Sequence, residues 1–255
     1  MIKLSEITFS YNSNLTLDSI SFKVKEGERI VLLGVNGSGK STLLKIINAV
    51  IYPNKGEYYF YDKKVEKASF RDREFSIYFR RTVVMLFQSP EVMLFNPTVY
   101  DEIAYGLKQL SSTDNIDQLV KRWATIFQID KYLNMSPFEL SGGEKQKVAL
   151  ASLLVLEPKL LLLDEPMANL DPRTQGKLLD LLYDLSVTTI ISTHNLSLAT
   201  ELGERAILLS EDHRLIYDGG IHKLIANEEL LINANLIHKH KHKHEDCYHI
   251  HYHGH

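Results

Sequence analysis

The run Gly34-Val35-Asn36-Gly37-Ser38-Gly39-Lys40-Ser41 constrains this chain more than any other segment. It has the spacing G-x-x-x-x-G-K-[ST], with a compact strand pattern before it at residues 28–33 and a helical pattern after it at residues 41–49. A strand, a glycine turn and a helix in that order form a phosphate-binding loop. The glycines at 34, 37 and 39 let backbone N–H groups converge on phosphate oxygens where a side chain would collide. The helix adds the positive end of its dipole. Lys40 is long enough to reach β- and γ-phosphates, and the Ser41 hydroxyl can ligate Mg2+. Gly34, Asn36, Gly37, Ser38, Gly39, Lys40, Ser41 and Thr42 are therefore the expected nucleotide contacts.

A second half of such a site is written at Leu161-Leu162-Leu163-Asp164-Glu165-Pro166, an apolar strand ending in two carboxylates. Strand residues alternate in direction, so Asp164 and Glu165 are expected to do different jobs. Asp164 is the candidate for holding Mg2+ through its water shell. Glu165 is then free to orient and deprotonate an attacking water, a contribution of roughly 10²–10⁴ in rate.

The rest of the chain supports an α/β reading. Residues 2–22 alternate apolar and polar around the turn Tyr11-Asn12-Ser13-Asn14, predicting antiparallel strands at an edge. A second hairpin is expected at residues 57–61 with the turn Asp62-Lys63-Lys64. From Ser89 to residue 156 strand patterns give way to helical spacing. Ile116, Leu119, Val120, Trp123, Ile126 and Phe127 fall on one helix face. Residues 160–163 then read as a strand buried on both faces. Asp171-Pro172 opens a helix with an N-cap aspartate and proline at the first helical position. A strand at 187–192, a helix at 195–202 stopped by Gly203 and a strand at 206–209 follow. The expected fold is α/β, a P-loop NTPase (RecA-like) core carrying an antiparallel β subdomain and an inserted α-helical subdomain. Its boundaries are drawn at 1–88 and 157–237 for the split core, 89–156 for the helical subdomain and 238–255 for a His-rich tail.

Composition sets limits on partners. Lys and Arg number 29 against 32 Asp and Glu, so no overall positive field favours nucleic acid or an anionic membrane surface. The apolar runs are far shorter than the roughly 20 residues of a spanning helix. The first residues run directly into strand alternation with no signal-peptide pattern. The single cysteine, Cys247, excludes an internal disulfide. These features predict a soluble cytosolic chain that reaches a membrane only through a partner protein.

Leu140-Ser141-Gly142-Gly143-Glu144-Lys145-Gln146 resembles the signature motif of the ATP-binding cassette ATPases. The family's other motifs stand around it in order: Tyr11 where an adenine-stacking aromatic is expected, the phosphate loop, Gln88, Asp164-Glu165, Asn169-Leu170-Asp171 and His194. The resemblance covers residues 1–225. Physically the signature is another anion site, because Ser141 as N-cap leaves two glycine N–H groups at a positive helix end.

The resemblance implies that Ser141, Gly142 and Gly143 meet the γ-phosphate held by a second subunit, with Asp171 crossing to that subunit. It implies that His194 senses the γ-phosphate and that Gln88 links Mg2+ and the attacking water to the helical subdomain. Glu165, His194, Gln88 and Lys40 are then the catalytic set, Ser41, Gln88 and Asp164 the Mg2+ set, and ATP and Mg2+ the cofactors. The implied partners are a second cassette, in a homodimer or a heterodimer, and integral membrane subunits, with the chain peripheral on the cytoplasmic face. Glu144 departs from the usual glutamine. It completes a capping box with Ser141, and altered ATP affinity is the other reading.

Residues 88–99 and Asp101-Glu102-Ile103-Ala104-Tyr105-Gly106 resemble one branch, the ATPases of energy-coupling factor importers for vitamins and for cobalt or nickel. Val92 and Met93 stand where that branch usually carries an acidic residue and a glutamine. The tail points to metal independently. His238, His240, His242, His244, Cys247, His249, His251, His253 and His255 are donors suited to Ni2+ or Co2+, and equally to copper and zinc. Alternation with lysine predicts a disordered tail. A purification tag is the alternative, although tags are usually contiguous histidines and this run mixes Lys, Asp, Cys, Tyr and Ile. The alternatives for the whole chain are an importer of another solute, a soluble mechanical cassette acting on DNA or ribosomes, and a metal-storage protein with a vestigial ATPase.

Overall fold

The computed structural model describes residues 1–110, 115–168, 170–244 and 247–254, with side chains up to residue 237. The chain begins with β1 (Ile2–Tyr11), β2 (Asn14–Val24), β3 (Arg29–Leu33), α1 (Lys40–Ile47), β4 (Lys55–Phe60) and β5 (Lys63–Lys64). Next come α2 (Arg73–Thr82), β6 (Val83–Leu86), α3 (Val99–Gln109), α4 (Ile116–Phe127), α5 (Gly142–Leu154), β7 (Leu160–Asp164) and α6 (Pro172–Asp184). The last elements are β8 (Thr188–Thr193), α7 (Leu196–Leu202), β9 (Arg205–Leu209), β10 (Leu215–Gly220), α8 (Ile221–Ile225), α9 (Glu228–Asn233), β11 (Ile237–His244) and β12 (Cys247–Gly254). They form two compact units, Met1–Glu66 with Thr189–His255 and Lys67–Thr188.

In the first unit an antiparallel sheet runs in the order β2-β1-β4-β5. Ile2 and Leu4 are buried, and so are Ile7 and Phe9, although the two pairs differ in parity along the strand. The register between β1 and β2 shifts between Leu4 and Ile7, where Glu6 has φ 51°. That bulge inserts the residue that returns the strand to the core face. The hairpin closes with Tyr11 opposite Asn14. A second set of strands is ordered β10-β9-β3-β8, with β3 parallel to both β8 and β9. All but the first residue of β3 are buried, as its continuous apolar run requires for a strand covered on both faces.

In the second unit β6 and β7 pair in parallel, from Val83 with Leu160 to Leu86 with Leu163. Helices α3, α4 and α5 pack on one another. Their buried faces carry Ile103, Ala104 and Leu107, Val120, Trp123 and Phe127, and Val148, Leu150 and Leu154. Of the expected face of α4, Val120, Trp123 and Phe127 are buried and Ile126 is exposed. α2 carries Phe75, Tyr78 and Phe79 at helical spacing, a signal that the motif reading passed over. It is set by its cap, where Asp72 accepts hydrogen bonds from the N–H groups of Glu74 and Phe75.

The compact units divide at 66/67 and 188/189 rather than at the texture changes near 88 and 157. β6 and β7 pair with each other, and α2 and α5 pack on β6, so these elements belong to one unit. The tail also differs from expectation. Its backbone forms the antiparallel hairpin β11–β12 instead of an unordered segment. The alternation that removes any helical period has the period of a strand.

Candidate active site

β3 delivers the chain into the glycine loop, and α1 begins at Lys40. Gly34, Gly37 and Gly39 have φ of 151°, 85° and 104°, values that favour glycine. A Cβ at Gly39 would lie 2.4 Å from the carbonyl oxygen of Thr16, and one at Gly34 would lie 2.8 Å from that of Leu209. Lys40 is buried, and its Nζ donates to the carbonyls of Gly34 at 2.7 Å and Val35 at 3.1 Å. The ammonium is thus folded onto the loop whose phosphate it is expected to reach. The Ser38 hydroxyl is buried and has no hydrogen-bond partner among the described residues. Thr42 is buried, Ser41 half-buried and Asn36 exposed on the same turn.

β8 places His194 beside this loop. Leu33 of β3 pairs with Thr193 of β8 in parallel register, so Gly34 and His194 are the next residues along neighbouring strands. Tyr11 ends β1, is 44% exposed and packs edge-on against Phe9 at 4.8 Å. An exposed ring on a fixed neighbour is free to stack on a base.

The second unit assembles Gln88, Asp164 and Glu165 in the same manner. Leu86 pairs with Leu163, so Gln88 and Glu165 both stand two residues beyond the paired strand ends. Asp164 is buried at the end of β7. Glu165 differs from it for a reason other than strand alternation: it has left the strand, with φ 48° in the left-handed region. Gln88, Gly142, Gln146, Asp164, Glu165 and Pro166 line one cavity of about 260 Å3.

The signature caps α5. The Glu144 carboxylate accepts from the Ser141 amide at 2.9 Å and from its hydroxyl at 2.7 Å, and also from the Tyr132 hydroxyl. These donors lower the Glu144 pKa to about 2, with Tyr132 the largest cause. Gly142 and Gly143 open the helix, with nothing within 4 Å of a Cβ at Gly142. Asp171 caps α6, accepting from the N–H groups of Arg173 and Thr174 and from the Thr174 hydroxyl, and the hydroxyl leads in lowering its pKa. Asn169 and His255 lie outside the described residues. His238, His240, His242, His244, Cys247, His249, His251 and His253 lie on the β11–β12 hairpin.

Two buried polar residues stand inside the quoted motifs without a role assigned to them there. Gln146 is buried on α5 and donates to the carbonyl of Pro166, next to Glu165. Glu102 is buried on α3 and accepts from the N–H groups of Phe95 at 2.9 Å and Asn96 at 2.8 Å, shaping the segment after Gln88. The available signal for both was a polar residue on an otherwise apolar helix face.

A family profile described as "ABC transporter" matches residues 17–168. The chain belongs to the ABC transporter ATPases. As an ABC ATPase it hydrolyses ATP, and its α/β fold with antiparallel and helical parts is that of the family. A Methanosarcina acetivorans chain, provisionally named an ABC transporter ATP-binding protein, is 45% identical over 98% of this ABC ATPase and 91% of its own length. The energy-coupling factor transporter ATP-binding protein EcfA of Methanocaldococcus jannaschii is 34% identical over 92% of this chain and 85% of its own. The nickel import ATP-binding protein LarO of Lactiplantibacillus plantarum is 37% identical over 86% and 92%. Among solved structures, the dimeric cassette MJ0796 in a post-hydrolysis state with ADP and Pi matches with a TM-score of 0.75 and 28% identity, over 87% of this chain and 99% of that one. No helix among the described residues of this ABC ATPase is long and apolar enough to cross a membrane.

Proposed function

We propose that this ABC ATPase powers an importer of the energy-coupling factor type for nickel or cobalt, closing as a dimer on two ATP molecules beneath integral membrane subunits. The observation that carries the branch is the segment after Gln88, whose sequence resembles that branch and whose shape is held by Glu102. It presents the exposed apolar side chains of Val92 and Phe95. Relatives named for energy-coupling factor transport and nickel import support the same reading.

The residues fit a bound Mg-ATP. The unpartnered Ser38 hydroxyl and the left-handed Gly37 and Gly39 form a loop suited to phosphate oxygens. Ser41, Gln88 and Asp164 offer the hard oxygen donors that would hold Mg2+. When bound, Mg2+ would supply positive charge that offsets the charge of the phosphate oxygens. Lys40 exchanges the Gly34 and Val35 carbonyls for phosphate oxygens, and Tyr11 stacks on adenine. Glu165 accepts the proton of the attacking water as its oxygen bonds to the γ-phosphorus, and the bond to the β–γ bridging oxygen breaks to release ADP. His194 holds the γ-phosphate side of the reaction. Ser141, Gly142 and Gly143 close the site of a second cassette, and Asp171 faces that cassette.

The test uses the chain expressed with its native membrane subunits. Glu165→Gln should lower ATP turnover by roughly 10²–10⁴, hold an ATP-bound dimer and stop cell accumulation of radiolabelled nickel or cobalt. Lost turnover with undiminished uptake of both metals removes the importer assignment, and normal turnover removes the base assignment.

A further inference from the structure

Backbone pairing in the tail sets metal-ligand residue types opposite one another. His238 pairs with His253, His240 with His251, His242 with His249 and His244 with Cys247. The intervening pairs are Lys239 with Tyr252, Lys241 with Ile250 and Lys243 with Tyr248. Residues of a strand alternate between faces, and residues directly opposite share one. The His and Cys positions therefore belong to one face of the hairpin, and the Lys, Tyr and Ile positions to the other.

Spacing divides the ligand face into sets. Opposed residues stand about 5 Å apart, and the next pair on the same face lies about 7 Å along the strand. Neighbouring pairs thus place four metal-ligand residue types at adjacent register positions on one face. Four donors are what a closed transition-metal site uses.

We propose that the hairpin β11–β12 binds a pair of divalent transition-metal ions of the cobalt, nickel, copper and zinc class. One set is His238, His240, His251 and His253, and the other is His242, His244, His249 and Cys247. The first set is all imidazole. The second adds a thiolate, a softer donor that gives its ion a distinct spectrum and preference. Both require neutral rings and bind best above about pH 6.5. A two-stranded hairpin is marginal alone in water, so metal binding stabilises the pairing. The assignment rests on the tail register and holds whatever solute the transporter carries.

The test is a titration of the full-length chain with Co2+ alone under reducing conditions, reading bound ions and the absorption spectrum. Truncation after Ile237 is the control, since tight binding that survives it lies outside the tail and overturns the proposal. About two ions per chain are expected. His240→Ala with His251→Ala, both in one set, should abolish one ion and leave the thiolate-to-cobalt band. His240→Ala with His242→Ala, which divides its damage between the sets, should weaken both ions at least tenfold. Cys247→Ser should remove the band while leaving one ion bound as tightly as before. Identical losses in the two double variants would mean that only the number of histidines matters, and the paired sets would be wrong. Absence of tight Co2+ binding by the unaltered chain would equally overturn the proposal.

Discussion

Leu33 and Thr193 are register partners on adjacent parallel strands, so the chain leaves β3 at Gly34 and β8 at His194 side by side. The phosphate loop and the histidine therefore share one rigid support, which favours a role at the γ-phosphate over a purely local one. His194→Ala is expected to lower kcat at least about tenfold, a modest share of what acid–base and positioning groups contribute. Affinity for a non-hydrolysable ATP analogue should change little, because the loop itself is untouched. Steady-state hydrolysis measured beside analogue binding separates the two, and an unchanged kcat removes His194 from the reaction.

The loop glycines answer to different constraints. Gly39 has φ 104° and no room for a Cβ, which would press on the Thr16 carbonyl and Leu17. Gly37 has φ 85°, but a Cβ there meets nothing within 4 Å. Gly37→Ala should therefore cost only backbone strain, about 1–2 kcal/mol. Gly39→Ala should cost more, because backbone or the α1 entry must shift as well. Thermal melting should rank the wild type above Gly37→Ala and Gly37→Ala above Gly39→Ala. The reverse order of the two variants would contradict the packing described at Thr16.

Glu144 makes the stability of the signature helix pH-dependent with a definite sign. Hydrogen bonds from Tyr132 and Ser141 hold its pKa at about 2, below an ordinary glutamate value of about 4.3. A depressed carboxylate contributes stability above its unfolded pKa and loses it as pH falls towards the folded one. The unfolding midpoint of the wild type should exceed that of Glu144→Gln by a constant margin at pH 6–7, and the margin should shrink progressively below about pH 4.3. A margin that is flat down to pH 3 would show that the carboxylate is not held ionised by these donors.

Much of this arrangement was legible in advance where a motif carries its own local physics. The glycine loop, the Asp171-Pro172 helix start and the Ser141–Glu144 capping box depend on neighbours in sequence, and each appears as read. Features set by distant contacts were less so. Ile126 has the period of the buried α4 face yet is exposed, and the unit boundaries follow the β6–β7 pairing rather than composition. Glu165 was distinguished from Asp164 by strand alternation, whereas the structure separates them by a left-handed turn at Glu165. The tail shows how one pattern supports two readings, since alternate His and Lys deny a helix but allow a paired strand.

Gln146 ties the signature helix to the turn that carries Glu165. Its side-chain amide donates to the carbonyl of Pro166, and both groups line the cavity that holds Gln88, Asp164 and Glu165. Gln146→Leu keeps the apolar volume on α5 but leaves that carbonyl without its donor, at a cost of about 1–3 kcal/mol. Melting should drop by a few degrees, since about 1 kcal/mol corresponds to roughly 2–4 °C at this chain length. If the bond also positions Glu165, kcat should fall while KM for ATP stays put, because the phosphate loop is not involved. Gln146→Glu gives a second check, as it replaces a donor by an acceptor facing another acceptor and should reduce kcat further. A lower melting temperature with full kcat in both variants would confine Gln146 to holding the helix and remove it as a positioning residue for Glu165.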